Sequence, residues 1–187
     1  GDITPVGLRN GDTITSIDLV SDATPVTATV TDGPYAIVAS NAATSTQLAN
    51  YAITFVDGVF AVTPAALELR IADQTKVYGT EFVFSDTDFT SIGLRNGDTA
   101  SAVLVSEGAA ATANVDTSPY AITAIDVAGS ALGNYELTVT DGSFAVTPAP
   151  LQVTADSLSK TYGEEIVFDV SNITALGLQN GELIGSV

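Results

Sequence analysis

The sequence repeats itself, and this repetition constrains the fold more than any other feature. The motif Gly-Leu-Arg-Asn-Gly-Asp at positions 7–12 returns at 93–98, a shift of 86 residues, and Gly-Leu-Gln-Asn-Gly-Glu follows at 177–182, a shift of 84. Phe-Ala-Val-Thr-Pro-Ala likewise occurs at 60–65 and again at 144–149. Self-similarity at a fixed period indicates a repeat architecture, in which each period folds as one structural module. The chain is therefore predicted to consist of tandem modules.

The period divides the chain into three modules, of which the middle one is complete. Residues 66–149 form the complete copy, residues 1–65 form a copy without its first strands, and residues 150–187 form the opening of a third. Both ends fall inside a module and the sequence contains no methionine, so we expect the chain to continue in both directions. In a rival arrangement, residues 150–187 of one chain complete the broken first module of another by adding strands.

The hydrophobic pattern of the complete module favours short strands over helices. Leu67, Leu69 and Ile71 alternate with polar or small residues, which predicts a half-buried strand. Further short strands are predicted at 82–84, 103–105 and 120–127. The predicted fold class is all-β, with each module either an Ig-like sandwich or a β-grasp-like sheet. Short proline-containing linkers join the copies stiffly, so the array is expected to be an elongated beaded rod.

The end of each module has the pattern of a β-hairpin. Apolar residues alternate before and after an Asp-Gly pair, and a two-residue turn at that pair would place Val139 opposite Phe144 on one apolar face. The predicted turn residues are Asp141 and Gly142 in the complete module, and Asp57 and Gly58 in the first.

The acidic composition excludes several classes of partner. Twenty-two Asp and Glu residues stand against five Lys and Arg residues, which gives a net charge of −17. Nucleic acids and anionic membrane surfaces attract clustered basic residues, so neither is an expected partner. No apolar run approaches the roughly 20 residues of a membrane-spanning helix, and membrane insertion is not expected.

The residue types also exclude the common forms of catalysis. The chain contains no histidine and no cysteine, so it offers neither the imidazole base of Ser-His-Asp and Cys-His enzymes nor a thiolate zinc site. Asp86 with Asp88 and Glu164 with Glu165 are expected to be solvated surface acids, not a glycosidase pair. No cofactor is expected, and calcium is the remaining option for site chemistry. The candidate calcium ligands are Asp86, Asp88, Asp98 and Asp141.

Tyrosines recur at fixed phases of the repeat, and we interpret them as structural residues. The six are Tyr35, Tyr51, Tyr78, Tyr120, Tyr135 and Tyr162. Recurrence favours packing, or a hydroxyl that locks a turn, over ligand stacking, because a binding site usually belongs to one specialised module. Three motif pairs are predicted to be structural: Tyr78-Gly79, Tyr162-Gly163 and Asn134-Tyr135. Gly79 is expected to lie at a bend.

Taken in order, these motifs resemble the MBG domain of the YGX type. An opening strand is followed by Ser-Lys-Thr-Tyr-Gly (159–163), by Gly-Leu-x-Asn-Gly-Asp/Glu, and by a closing Asn-Tyr, Asp-Gly and Phe-Ala-Val-Thr-Pro series. The resemblance covers essentially the whole chain. It implies tandem modules of large bacterial surface or secreted proteins, including filamentous-haemagglutinin-like adhesins, and it implies no ligand and no catalytic residue.

The sequence therefore predicts a structural repeat region, the stalk or fibre of a bacterial adhesin or filament, outside the cell or on its surface. The predicted partners are neighbouring copies of the same repeat, in the same chain or in a filament, and no enzymatic activity is expected. The alternative is an adhesive module that binds a glycan or protein of the host or matrix, with calcium stiffening the array.

Overall fold

The computed structural model describes residues 3–45 and 47–186, and these form a mostly β protein. The strands are β1 (Ile14–Val20), β2 (Tyr35–Thr44), β3 (Gly58–Phe60), β4 (Ala65–Ile71), β5 (Gln74–Val77), β6 (Phe89–Ile92), β7 (Ala100–Val105), β8 (Tyr120–Gly129), β9 (Tyr135–Thr140), β10 (Gly142–Thr147), β11 (Gln152–Ala155) and β12 (Ile173–Leu176). Single 3₁₀ turns lie at Leu48–Asn50, Glu107–Ala109, Leu132–Asn134 and Val170–Asn172. The predicted all-β class is confirmed. No helix in the described residues is long and apolar enough to cross a membrane.

The chain divides into two compact units. The first comprises Gly1–Ala66, Leu94–Asp98 and Ala131–Glu136, and the second comprises Leu67–Gly93, Thr99–Ser130 and Leu137–Val187. The first unit contains the three-stranded sheet β1-β2-β3. The second contains most of the complete module and the antiparallel pair β11-β12. Two short segments of the predicted second module, 94–98 and 131–136, thus belong to the unit that holds the first.

The strands of the complete module divide between two sheets. One has the order β6-β4-β9 and the other has the order β5-β10-β8-β7. In the first sheet, β4 pairs antiparallel with β6, from Glu68 opposite Ile92 to Ile71 opposite Phe89. In the second sheet, β10 pairs parallel with β5 and antiparallel with β8. This arrangement corresponds to the sandwich alternative, because a β-grasp-like module would have one sheet.

Alternating residues of both sheets supply the core. The predicted pattern of β4 is confirmed, since Leu67 and Leu69 are at most 1% exposed. From the other sheet, Ile122 and Phe144 are fully buried. Burying a side chain of this kind stabilises a fold by about 1.5–3 kcal/mol. Apart from Ala23, the buried apolar side chains of the described residues all lie in the complete module.

Residues 82–84 do not form the predicted strand. The second strand of the module is β5, which precedes them in the chain. The apolar pattern reflects an aromatic cluster instead, because the rings of Phe82 and Phe84 lie 5.1 and 6.0 Å from that of Phe144 in edge-on contacts. The apolar residues therefore indicated packing on the core, not backbone pairing.

The predicted hairpin at Asp141 and Gly142 is wrong. β9 runs into β10 across a single residue, and the two strands belong to different sheets, so Val139 does not face Phe144. The glycine permits a close approach of two backbones, because a Cβ at Gly142 would lie 2.9 Å from the carbonyl oxygen of Ala72. Alternation with period two is common to a hairpin and to a strand that changes sheets, and the pattern alone does not distinguish them.

The equivalent hairpin at Asp57 and Gly58 is also wrong. β3 begins at Gly58 and pairs with β2, whereas the preceding residues 52–56 form no strand. Ile53 and Phe55 are 41% and 42% exposed, and no counterpart of β4 covers them in the described part of the chain. The apolar face of the first module therefore lines a cavity of about 470 Å³.

We predict that Phe144→Ala lowers the free energy of unfolding by about 3–5 kcal/mol, the usual range for a buried aromatic side chain. Phe60 has the same position in the first module but is 39% exposed, so Phe60→Ala should lower it clearly less. Urea-induced unfolding followed by circular dichroism measures both variants. Equal losses at the two positions would contradict the assignment of the core to the complete module.

Candidate functional site: the recurrent Asn-Gly loop

The Asn-Gly loop occurs three times with the same turn geometry. In the complete module it connects β6 to β7, and Asn96 and Gly97 have φ angles of 54° and 79°. Asn and Gly adopt the left-handed conformation with little strain, and two such residues in succession produce a tight turn. A hydrogen bond from Asp98 N to Arg95 O at 2.8 Å closes the turn. Equivalent turns lie at Asn10-Gly11 and Asn180-Gly181.

A tyrosine hydroxyl fixes this loop in the complete module. Tyr135 Oη accepts a hydrogen bond from Arg95 N at 2.9 Å and donates one to Asp98 Oδ2 at 2.7 Å. One hydroxyl thus bridges the two ends of the turn, and we call this arrangement the tyrosine latch. Asn134, the residue before the tyrosine, accepts a hydrogen bond on Oδ1 from Val30 N at 2.8 Å.

The first module has the same tyrosine latch. Arg9 N donates to Tyr51 Oη at 3.1 Å, and this hydroxyl donates to the carboxylate of Asp12. In both modules, the hydrogen bond to the carboxylate raises the pKa of the tyrosine, Tyr51 or Tyr135, above its ordinary value. The cause is that ionising the hydroxyl would remove the donor and place two negative charges side by side.

A second recurrent tyrosine holds a different loop. Tyr120 Oη donates to Asn114 O at 2.8 Å. Its equivalent, Tyr35, accepts from Thr29 N and donates to Thr29 O, both at 2.9 Å. Each of these tyrosines is the first residue of its strand, so its hydroxyl ties the preceding loop to the sheet.

The Tyr-Gly pair occurs in two different settings. Gly79 has a φ angle of 90° and forms a bend, and a Cβ at this position would lie 2.3 Å from Gln179 Oε1. The hydroxyl of Tyr78 donates to Glu182 Oε1 at 2.5 Å. The second Tyr-Gly pair makes no comparable contacts among the described residues. Tyr162 is fully exposed, and a Cβ on the glycine that follows it would have no atom within 4 Å.

Lys76 is a buried residue whose role the sequence did not reveal. It is 8% exposed, and its Nζ donates to Thr80 O at 2.7 Å and to Ala110 O. Burial lowers the pKa of this amine because the charged form loses hydration, while the nearby charge of Glu81 acts in the opposite direction. The only signal in the sequence was its recurrence as Lys160, which is exposed.

The candidate calcium ligands do not come together. Among residues 3–45 and 47–186, no group of three or more acidic side chains is placed to hold a metal ion. Asp88 accepts hydrogen bonds from Ser85 N at 2.7 Å and from Gln74 Nε2 at 3.0 Å. Asp98 belongs to the tyrosine latch, and Asp86 is exposed. These carboxylates are therefore occupied by loop contacts or lie apart on the surface.

Comparison with known proteins gives a family match. The family model described as MBG domain (YGX type) matches the chain in two consecutive segments, residues 2–61 and 67–145. No curated protein and no solved structure matches the chain. The two segments lie within the first and second predicted modules, which agrees with tandem copies of one domain.

We predict that Tyr135→Phe lowers the midpoint of thermal unfolding by a few degrees, because Arg95 N and the Asp98 carboxylate lose their shared hydrogen-bonding partner. The matched control is Tyr162→Phe, since this exposed hydroxyl has no partner among the described residues. The control should leave the midpoint unchanged. Equal shifts in both variants would show that the latch contributes nothing specific.

The raised pKa values of Tyr51 and Tyr135 predict a loss of stability at alkaline pH. The unfolded chain ionises its tyrosines near pH 10, whereas the folded modules hold these two protons to higher pH. The latch therefore contributes fully below about pH 10, and its contribution is lost as the pH rises through the folded-state pKa. Unfolding midpoints of the double variant Tyr51→Phe/Tyr135→Phe should fall less steeply with pH than those of the unchanged protein.

Proposed function

The chain belongs to the MBG domain family of the YGX type, and from this premise we propose that it is a structural repeat region of a bacterial protein. In this proposal the repeats form the stalk or fibre of an adhesin or filament, on the cell surface or outside the cell. Each module contributes length and spacing, and the neighbours of a module are further copies of the same repeat.

The single observation that carries this proposal is the tyrosine latch in two consecutive modules. Tyr51 and Tyr135 make equivalent hydrogen bonds to the Asn-Gly loop of their own modules. A ligand site directs a few polar groups into a pocket, where they remain free to bind. Here the latch tyrosines and the carboxylates that they contact are engaged within the module, which favours a role that every copy performs alike.

The chemistry of the chain supports a role without catalysis. It has neither an imidazole nor a thiol, and acids that recur in the Asn-Gly loop, Asp12 and Asp98, accept hydrogen bonds from the latch tyrosines. The net charge of −17 favours solubility and disfavours nucleic acids and anionic membranes as partners. These properties suit an array exposed to an aqueous environment.

The dimensions of longer arrays test the proposal. In proteins with two, four and eight copies of residues 66–149 in tandem, the maximum dimension from small-angle X-ray scattering should grow linearly, by roughly 30 Å per copy. A single compact particle would instead grow with about the cube root of the copy number. Such compact growth would overturn the stalk proposal.

Ligand and ion measurements test the adhesive alternative. We predict that excess calcium and excess EDTA give the same midpoint of thermal unfolding, because the described carboxylates form no cation site. We also expect no saturable binding on a glycan array at micromolar concentration. Stabilisation by calcium, or micromolar binding of a host glycan, would favour the adhesive module over the spacer.

A further inference from the structure

Two hydrogen bonds at equivalent positions join consecutive repeats. Asn96 Nδ2 donates to Val26 O at 3.1 Å, and Asn180 Nδ2 donates to Ala111 O at 3.2 Å. The donors are 84 residues apart (180 − 96) and the acceptors are 85 residues apart (111 − 26), so both contacts run from an Asn-Gly loop to the same segment of the preceding repeat. Each contact lies within one compact unit, the first in one and the second in the other. The same contact therefore forms twice in different surroundings.

The Tyr-Gly segment fixes the acceptor within its own repeat. Gly79 N donates to Ala111 O at 3.1 Å, so the two lone pairs of this carbonyl serve both Gly79 and Asn180. The adjacent carbonyl of Ala110 accepts a hydrogen bond from the buried amine of Lys76. The Lys-x-Tyr-Gly motif thus presents the Ala111 carbonyl in a fixed position to the following repeat.

The same Tyr-Gly segment also contacts the incoming loop directly. A Cβ at Gly79 would lie 2.3 Å from Gln179 Oε1 and 2.5 Å from its Cγ, so the glycine leaves the space that this side chain occupies. The Tyr78 hydroxyl donates to Glu182 Oε1. Gln179 and Glu182 flank Asn180 in one loop, and the Tyr-Gly segment with its adjoining carbonyl forms a receptor for that loop.

The junction between the first two modules has an additional contact. Asn134 Oδ1 accepts a hydrogen bond from Val30 N, four residues beyond the Val26 carbonyl that receives Asn96. Asn134 directly precedes the tyrosine that latches the Asn96 loop. The two asparagines that reach the preceding repeat are therefore connected to each other through the latch.

We propose that the Asn-Gly loop and the Tyr-Gly segment are two halves of one interface, through which each repeat docks onto the repeat before it. The inference deepens the proposed function and rests on it, because it names the partner within the array. That partner is a second repeat that offers an asparagine amide from a left-handed turn to a backbone carbonyl. Asn10 and the Tyr162-Gly163 pair are unoccupied halves among the described residues, and each fits a further copy.

Equivalent substitutions in occupied and unoccupied halves test the interface. Asn180→Gly and Asn10→Gly both remove a side-chain amide, and glycine tolerates the positive φ angle at both positions. Of these two asparagines, only Asn180 reaches an acceptor in the described part of the chain. Hydrogen–deuterium exchange of the 187-residue protein should be about two- to tenfold faster at residues 76–80 and 109–111 in Asn180→Gly. Asn10→Gly should leave exchange in these peptides unchanged.

A second pair of variants addresses the receptor. Gly79 and Gly163 have φ angles of 90° and 94°, so alanine introduces similar backbone strain at both. Only the alanine at position 79 would also displace Gln179. Hydrogen–deuterium exchange in the loop at 177–182 should therefore be faster in Gly79→Ala and unchanged in Gly163→Ala. If Asn180→Gly exchanged like Asn10→Gly, and Gly79→Ala like Gly163→Ala, the proposed interface would be overturned. Arrays that still lengthen linearly in that case would leave the stalk proposal standing, so the two failures are distinguishable.

Discussion

The passage from β9 to β10 is the constraint on which the complete module depends. In the sequence, the apolar positions change from odd to even numbers at the crossing, from Leu137 and Val139 to Phe144 and Val146. Phe144 and Val146 are buried, whereas Leu137 and Val139 are 39% and 37% exposed, so the core-facing side chains belong to β10. Gly142 makes the crossing possible, since its backbone lies against the Ala72 carbonyl where a side chain would not fit. The crossing brings Phe144 to the centre of the core and leaves β10 between β5 and β8.

The Asn-Gly loop of the module is ordered by polar contacts because the core does not reach it. The segment from β6 to β7 contains the Asn-Gly turn, and its residues are exposed or half-buried. Tyr135 compensates by joining the two ends of that turn from a position 40 residues along the chain from Arg95. Tyr120 contributes one hydrogen bond, to Asn114 O in the segment before β8. A module with a modest core thus keeps loops in place through a few hydroxyl groups, and these contacts recur with the repeat in the pairs Tyr51 and Tyr135, and Tyr35 and Tyr120.

Features with a local cause could be predicted from the sequence, and features that depend on distant pairing could not. The turn at Asn96 and Gly97 follows from the conformations that these residues prefer, and the burial of Leu67 and Leu69 follows from their alternation. The strand partners at Asp141-Gly142 could not be predicted, because a hairpin and a sheet crossing share one apolar pattern. The hydrogen bond from Asn96 to Val26 joins residues 70 positions apart, and neither residue type predicts which partner it will contact. Lysine is usually found on the surface, so the burial of Lys76 could not be predicted from its residue type. The structure explains it, because two backbone carbonyl groups accept hydrogen bonds from the amine.

The interface between repeats depends on the latch. A single hydrogen bond contributes only about 0.5–1.5 kcal/mol net, and ordering a mobile loop on docking would offset most of that. The latch reduces this cost, because Tyr135 holds the Asn96 loop through hydrogen bonds within its own repeat. At the other junction, the acceptor is held in the same way, because Gly79 N donates to the Ala111 carbonyl and Lys76 donates to the adjacent carbonyl of Ala110. A small contact between two ordered segments can therefore join neighbouring repeats, and its effect accumulates along an array in which the asparagine contact recurs at each junction. Internal hydrogen bonds that serve one module are in this way the condition for contact between modules.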